Sequence, residues 1–309
     1  MVRLHDFAMQ ANWLKWSPEL DREMESSVEW GKAMISLPER LLKFILNAKM
    51  NTLPSPDNLK RWAVRKGNDF KCELCGNAAV TTAHILAGCP YVLKTENQKK
   101  GVDRYTWRHN MVLSVIRKHV EAKVLEMNQK PKKRKKVGVQ KIAFVKEGER
   151  MLKRKQEAPL KVLEKANDWK ADFDLHSAKE EVKYSMDQRV CSTTFKPDGY
   201  VVSHEEKLGV VIELTCPMEE NMDKWHLKKK EKYKQELQSE AYEMIYVVVE
   251  VGARGGMLNT LRRDFRRLGL TKAEVSKLVD ECRRMAERCS FAVWCQRFTK
   301  DFVATEMLL

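Results

Sequence analysis

Long apolar runs are missing from this sequence, since no stretch approaches the roughly 18 consecutive apolar residues that a membrane-spanning helix needs. The segment Met1–Trp16 lacks a charged start followed by an apolar run, so no secretory signal peptide is predicted. Cysteine is also scarce, with 8 residues in 309, too few for a scaffold held by disulfides. We therefore expect a soluble intracellular protein.

Acidic residues are too few to balance the basic ones. Lys and Arg number 58 against 43 Asp and Glu, which gives a formal net charge of +15. An excess of this size attracts polyanions, of which nucleic acid is the usual one. Hydrophobic residues still make up 43% of the chain, which is enough for a packed core. The length leaves room for about two domains of roughly 150 residues each.

Hydrophobic periodicity and charge divide the chain into four segments. Residues 1–66 are predicted to be helical, with one helix starting near Pro38. Residues 67–127 hold a loop with cysteines and a histidine, followed by a long amphipathic helix over 105–127. Residues 128–159 are predicted to be a basic linker, because 128–155 carries twelve basic and two acidic residues. Residues 160–309 form the fourth segment.

Helix-like and strand-like patterns alternate in this fourth segment. The pattern predicts a helix over 160–189, strands over 195–202 and 210–214, a charged helix over 219–240 and a buried strand over 244–249. Two further helices follow, one from Leu258 and one from a capping box at Thr271 and Glu274. This alternation predicts an α/β domain.

Three of the scarce cysteines lie close to a histidine in the sequence. The pattern Cys72-x2-Cys75-x8-His84-x4-Cys89 offers three thiolates and one imidazole, the ligand set of a closed tetrahedral zinc site. We predict a CCHC zinc knuckle that stabilises the fold and supports nucleic-acid binding. The alternative is a buried histidine among small core cysteines.

Two acids mark the predicted pair of strands. Asp198 follows Lys196 and Pro197, and Glu213 comes after fourteen intervening residues. An acid among apolar strand residues is costly unless a cation accepts it. Two carboxylates from adjacent strands would suit Mg²⁺, which would polarise a scissile phosphate and generate hydroxide. On spacing alone, a structural role for both acids is the more common outcome.

The charged helix carries Lys230 and Tyr233 three residues apart, hence on one face, with His226 one turn earlier. A lysine there could stabilise the charge of a pentavalent phosphorane or orient the attacking water. Lys228 and Lys229 are expected to face elsewhere. The alternative is a solvated charged face, because the helix holds six lysines.

The cysteine–histidine pattern followed by Lys-Pro-Asp and a second acid resembles the C-terminal region of site-specific non-long-terminal-repeat retrotransposon proteins. These proteins insert their elements with a restriction-like endonuclease. The resemblance covers most of the chain and extends to the stretches LLKFILNAKMNTLPSPDNLKRW, YTWRHN, VIELTCP and VEVGARGG. It implies a restriction-endonuclease-like core in residues 160–309, in which a mixed sheet is flanked by helices. Family proteins also carry a reverse transcriptase, and this sequence has no paired-aspartate polymerase motif.

The resemblance also implies roles for individual residues. Asp198 and Glu213 would be the Mg²⁺ ligands. Thr215 stands where ordinary restriction-like enzymes carry a lysine, and that lysine's role would have moved to the helix. The resemblance assigns it there to Lys230, with Tyr233 as its companion. An upstream acid is expected as well, and both Glu180 and Glu181 are open for it.

The basic linker contains PKKRKKV at residues 131–137, which has the form of a monopartite nuclear import signal. We therefore predict a nuclear protein. The alternative, a linker that contacts DNA phosphates, is compatible with import.

These features predict a Mg²⁺-dependent DNA endonuclease of retrotransposon origin, with a structural Zn²⁺, that nicks DNA and leaves a 3′-hydroxyl. DNA is the expected partner, and RNA and a polymerase subunit stay open as further partners. The alternatives are a nucleic-acid-binding protein without catalysis and the remnant of a truncated element.

Overall fold

The computed structural model describes residues 37–64, 71–77, 79–93, 103–131, 160–175, 185–191 and 195–304. Within these ranges the helices are α1 (Glu39–Lys49), α2 (Pro56–Arg61), α3 (Pro90–Leu93), α4 (Arg104–Gln129), α5 (Met222–Glu236), α6 (Asn259–Leu268) and α7 (Lys272–Cys295). The strands are β1 (Lys170–Phe173), β2 (Gly199–Ser203), β3 (Leu208–Thr215) and β4 (Glu243–Glu250). In the described part of the chain, no helix has the length and apolar character that crossing a membrane requires.

The strands form one mixed sheet in the order β1-β2-β3-β4. The pairs β1–β2 and β2–β3 are antiparallel, whereas β3 and β4 are parallel. A parallel pair needs a crossover connection, which α5 supplies. The mixed sheet with flanking helices confirms the predicted α/β class.

Helices cover both faces of this sheet. On one face, Tyr233 of α5 packs with Val202 and Val211 of the central strands. On the other face, Ile212 lies in a larger core that includes residues of α4, α6 and α7. The side chains of β3 therefore alternate between two buried layers, which explains why nearly the whole strand is buried.

The long helix α4 confirms the helix predicted over 105–127. Asp103 caps its start, because the carboxylate accepts hydrogen bonds from the backbone N–H groups of Tyr105 and Thr106. Ile116 and Val120 of this helix lie in the same hydrophobic core as the sheet. Helix α4 therefore packs as part of the sheet domain. The sequence analysis instead grouped this helix with the cysteine-containing segment, residues 67–127.

The helix predicted over 160–189 is wrong in the residues that the structure describes. A short 3₁₀ turn (Val162–Lys165) and the edge strand β1 occupy this region. The buried Trp169 lies between them, and its indole N–H donates to the carbonyl of Leu163 at 2.9 Å. A four-residue, partly exposed edge strand gives too short a pattern to detect in sequence. Glu180 and Glu181 lie outside the described residues.

The second strand starts later than predicted. β2 begins at Gly199, so Lys196, Pro197 and Asp198 precede the strand and do not lie in it. Proline at 197 has no N–H to donate to a ladder, which favours a start after it. At Gly199 an added Cβ would lie 2.4 Å from Phe173 of β1, so only glycine allows this approach. The capping box at Thr271 and Glu274 is present and confirms the start of α7.

Candidate functional site

The four predicted zinc ligands come together in space. The ligand atoms of Cys72, Cys75, His84 and Cys89 all lie within 4.8 Å of one another. Cys72 Sγ and Cys89 Sγ are 4.0 Å apart, and Cys75 Sγ lies 3.5 Å from His84 Nε2. Three sulfurs and one imidazole nitrogen are the donors that a closed zinc site uses. This Cys–His cluster could therefore hold a metal such as zinc.

Two backbone turns bring the four side chains of the cluster together. Gly76 has a φ of +76°, a conformation that glycine adopts without strain, and its N–H donates to the carbonyl of Cys72 at 2.8 Å. The other half of the cluster lies on a π-helical turn (His84–Gly88) followed directly by Cys89. The hydroxyl of Tyr105 in α4 donates to the carbonyl of Ile85 at 2.9 Å and accepts from the N–H of Cys89 at 3.3 Å. Helix α4 thus fixes the second pair of ligands.

Burial affects the ionisation of two members of the cluster, His84 and Cys89. It lowers the pKa of His84, which keeps the imidazole neutral and able to bind a metal. It also raises the pKa of the Cys89 thiol to about 12. A thiolate in this position needs a nearby cation, and a bound metal would supply that charge.

The structure also brings together Asp198 and Glu213, which we call the acid pair. Asp198 precedes β2 and Glu213 lies within β3, where it is only 4% exposed. The N–H of Asp198 donates to Glu213 Oε2 at 3.3 Å, and the N–H of Leu214 donates to Asp198 Oδ2 at 2.6 Å. Burial and the charge of Asp198 raise the pKa of Glu213. The two carboxylates therefore sit side by side at the end of two neighbouring strands.

The lysine beside the acid pair is Lys229, not Lys230. Lys229 Nζ forms an ion pair with Glu213 Oε1, whereas the side chain of Lys230 is exposed. The Tyr233 hydroxyl also donates to the Glu213 carboxylate. Lys229 and Tyr233 are four residues apart, and a helix places that spacing on one face as well as a spacing of three. The expectation that Lys229 faces elsewhere was therefore wrong.

His109 is a member of the site that the sequence analysis did not assign. Its Nε2 lies 3.2 Å from Asp198 Oδ2 and 3.3 Å from the carbonyl oxygen of Leu214. Burial disfavours the charged imidazole, but the hydrogen bond to Asp198, the charge of Asp198 and the hydrogen bonds to Asn110 and Leu214 together outweigh it and raise the pKa of His109 to about 9. In the sequence, the segment YTWRHN that contains His109 indicates only the family resemblance. No periodicity in the sequence shows that α4 reaches β3.

His226 contacts a different acid, Glu250. Its Nδ1 lies 3.0 Å from Oε2 of Glu250, which ends β4 beside Thr215. Oε1 of Glu250 and the hydroxyl of Thr215 have no hydrogen-bond partner. Among the described residues, the Cys–His cluster is the one group of three or more Cys, His, Asp or Glu close enough to share a metal. The described residues of the acid pair would therefore supply two carboxylates to a metal, without a third Cys, His, Asp or Glu close enough to join them.

The glycine-rich block VEVGARGG has a structural role. The Glu219 carboxylate accepts from the N–H and the guanidinium of Arg254, at 2.7 and 2.8 Å. Gly252 and Gly256 lie so close that an added Cβ would come within 2.3 and 2.7 Å of the Glu219 side chain. The loop after β4 therefore wraps around a buried carboxylate, which explains its glycines.

The basic tract at residues 132–137 lies outside the residues that the structure describes.

No protein-family model matches this chain, and no curated protein matches it either.

Proposed function

We propose that the chain is a Mg²⁺-dependent DNA endonuclease with a restriction-endonuclease-like core, which nicks DNA and leaves a 3′-hydroxyl. The observation that carries the proposal is the acid pair with Lys229 and Tyr233. A carboxylate just before β2, a carboxylate within β3, and a lysine and a tyrosine from α5 form a compact set of groups suited to phosphate chemistry. The retrotransposon origin rests on the sequence resemblance.

The acid pair has the donors that Mg²⁺ prefers. Asp198 and Glu213 would hold the ion through carboxylate oxygens, and the Asp198 side chain is 18% exposed, so it can be reached from solvent. When bound, Mg²⁺ supplies positive charge that polarises the scissile phosphate and lowers the pKa of an attacking water. His109 and the N–H of Leu214 hold Asp198 in place for this task.

In this proposal Lys229 takes the role that the family resemblance implies for Lys230. Its ammonium group lies at Glu213 and at 5.7 Å from the centre of the Tyr233 ring, so its position is fixed from two sides. From there it would stabilise the negative charge that develops on the phosphate. Tyr233 orients the carboxylate of Glu213 through its hydroxyl.

Affinity for DNA would come from basic surfaces rather than from the acid pair. Helix α5 exposes lysines around the candidate site, namely Lys224, Lys228, Lys230, Lys232 and Lys234. Such residues bind phosphates and release counterions. The PKKRKKV tract would add to this attraction and direct the protein to the nucleus. Zinc in the Cys–His cluster would be structural.

A plasmid-nicking assay tests the proposal. We expect supercoiled plasmid to become open circular in Mg²⁺ and to stay supercoiled in EDTA. A polymerase should extend the nick, because its 3′ end carries a hydroxyl. Plasmid that stays supercoiled in both arms, with protein bound to it, would contradict the endonuclease proposal.

A second candidate is a nucleic-acid-binding protein without catalysis. The ion pair between Lys229 and Glu213 favours it, because the buried acid already has a cation within the protein. In that case DNA would bind equally well in Mg²⁺ and in EDTA and would never be cut.

A further inference from the structure

Helix α4 connects the Cys–His cluster to the strand that carries Glu213. Arg108 of this helix is 0% exposed. Its Nη1 donates to the carbonyl of Leu86 at 2.8 Å, and its Nη2 donates to the carbonyl of Cys216 at 3.0 Å. Leu86 lies on the turn between the ligands His84 and Cys89, and Cys216 follows directly after β3. The buried guanidinium of Arg108 is therefore hydrogen-bonded both to the turn of the Cys–His cluster and to the residue that follows β3.

The next residue of the helix completes this connection. His109 Nε2 contacts Asp198 Oδ2 and the carbonyl of Leu214. The N–H of the same Leu214 donates to Asp198 at 2.6 Å. Arg108 and His109 together thus hold the end of β3 and the first acid of the pair.

We infer that Arg108 and His109 are positioning residues that couple the Cys–His cluster to the acid pair, so that metal binding at the cluster fixes the geometry of Asp198. The physical reason is that the guanidinium of Arg108 is hydrogen-bonded to two backbone carbonyls. If one carbonyl shifts and the guanidinium moves with it, the hydrogen bond to the other carbonyl is stretched unless that carbonyl shifts too. Release of metal would loosen the turn that carries the Leu86 carbonyl. Arg108 would transmit this change to Cys216 and, through Leu214, to Asp198. The consequence for cleavage rests on the proposed function, but the coupling does not.

The amide of Leu214 reports the coupling without any cleavage. Because its N–H is bonded to Asp198, its hydrogen-exchange rate measures how firmly Asp198 is held. In the full-length protein, we expect removal of zinc to speed exchange at Leu214 by about 10-fold, within the roughly 5- to 150-fold range of typical couplings. The amide of Val120, in the interior of α4, should change much less and serves as the measure of general unfolding.

Two arginines of α4 provide matched variants. In Arg108→Lys, Leu214 should exchange faster even with zinc bound, and zinc removal should add little further. Arg104 is also buried and lies one turn earlier, but its guanidinium bonds the carbonyls of Gln296 and Thr299. Arg104→Lys should therefore keep the wild-type response of Leu214 to zinc.

If Arg108→Lys unfolds the protein, the amide of Val120 will also exchange fast and this variant will not report on the coupling. A second pair of variants, at His109, then tests it. His109→Ala should speed exchange at Leu214, and His109→Gln should restore much of the protection, because its amide N–H can replace the Nε2 donor. The inference is overturned if zinc removal leaves Leu214 unchanged. It is also overturned if zinc removal and either the arginine or the histidine substitution act additively. Absence of nicking activity, by contrast, would count against the proposed function and not against this coupling.

Discussion

The Cys–His cluster and the acid pair are both largely buried polar sites, but their partners differ. In the cluster, the four ligand atoms face one another, with Cys72 Sγ 4.0 Å from Cys89 Sγ. In the acid pair, the carboxylates face donors of the protein itself. Asp198 receives the N–H of Leu214, and Glu213 receives Lys229.

This difference indicates how tightly each site would hold a metal ion. The ligand atoms of the cluster lie close enough together for a single ion to bind them, and burial raises the pKa of the Cys89 thiol, which disfavours its ionisation without such an ion. The acid pair already has a cation at Glu213, so a metal there must compete with Lys229. We therefore expect a tightly held structural ion in the cluster and an exchangeable ion at the acid pair.

The largest effect should come from removing one charge at the acid pair. Glu213→Gln keeps the shape of the side chain but removes the charge that binds Mg²⁺. We expect the cleavage rate to fall by at least about 10³-fold, more than the loss of a single stabilising donor. Affinity for DNA, measured by filter binding, should stay within a few-fold because it lies in the basic surfaces. A normal nicking rate in this variant would rule out the acid pair as the catalytic site.

A smaller effect should separate two neighbouring lysines. Lys229→Ala should lower the single-turnover rate by on the order of 10²- to 10³-fold, because it removes a charge placed at the site. Lys230→Ala, on the exposed side of the same helix, should behave nearly as wild type. If instead Lys230→Ala is the inactive variant, the sequence-based assignment was right and the observed ion pair is not the catalytic arrangement.

The cluster should bind one zinc per chain, as measured by metal analysis of the purified protein. Cys72→Ser should lose this zinc and lower the melting temperature by about 5 °C or more. Trp294 of α7 lies in the same hydrophobic cluster as Cys72, so the loss should reach beyond the Cys–His cluster. Cys295→Ser, at an exposed position, is the control and should keep both zinc and melting temperature. Purified wild-type protein without stoichiometric zinc would show that the site is not a zinc site.

The smallest effect should come from the basic tract. Neutralising Lys132 to Lys136 should flatten the dependence of DNA affinity on salt, because fewer counterions are released on binding. The same variant, carrying a fluorescent tag, should remain in the cytoplasm. A nuclear variant with an unchanged salt dependence would dismiss both roles of the tract.

Much of the fold was predictable because its signals are local. The buried run of β4, the periodicity of α4 and the capping box of α7 each depend on neighbouring residues only. The strand β1 was missed because four partly exposed residues carry almost no periodicity. The grouping of Cys72, Cys75, His84 and Cys89 was predictable because these residue types at this spacing are typical of metal sites.

The details of the acid pair were not predictable in the same way. Asp198 and Glu213 were found, but helical spacing could not decide between Lys229 and Lys230, which differ by one position. Only the packing of α5 on the sheet turns Lys229 towards Glu213. The contact of His109 with Asp198 joins residues 89 positions apart in the sequence, and no local pattern carries such information.

The most direct measurement compares wild type with Asp198→Ala in the Mg²⁺ nicking assay, with DNA binding measured on the same samples. Asp198 is the more exposed acid of the pair, so alanine there should disturb the core less than at Glu213. We expect wild type to nick the plasmid and Asp198→Ala to bind DNA normally without cutting it. Equal nicking by both proteins, or no nicking by either with DNA bound, would contradict a metal-dependent endonuclease centred on the acid pair.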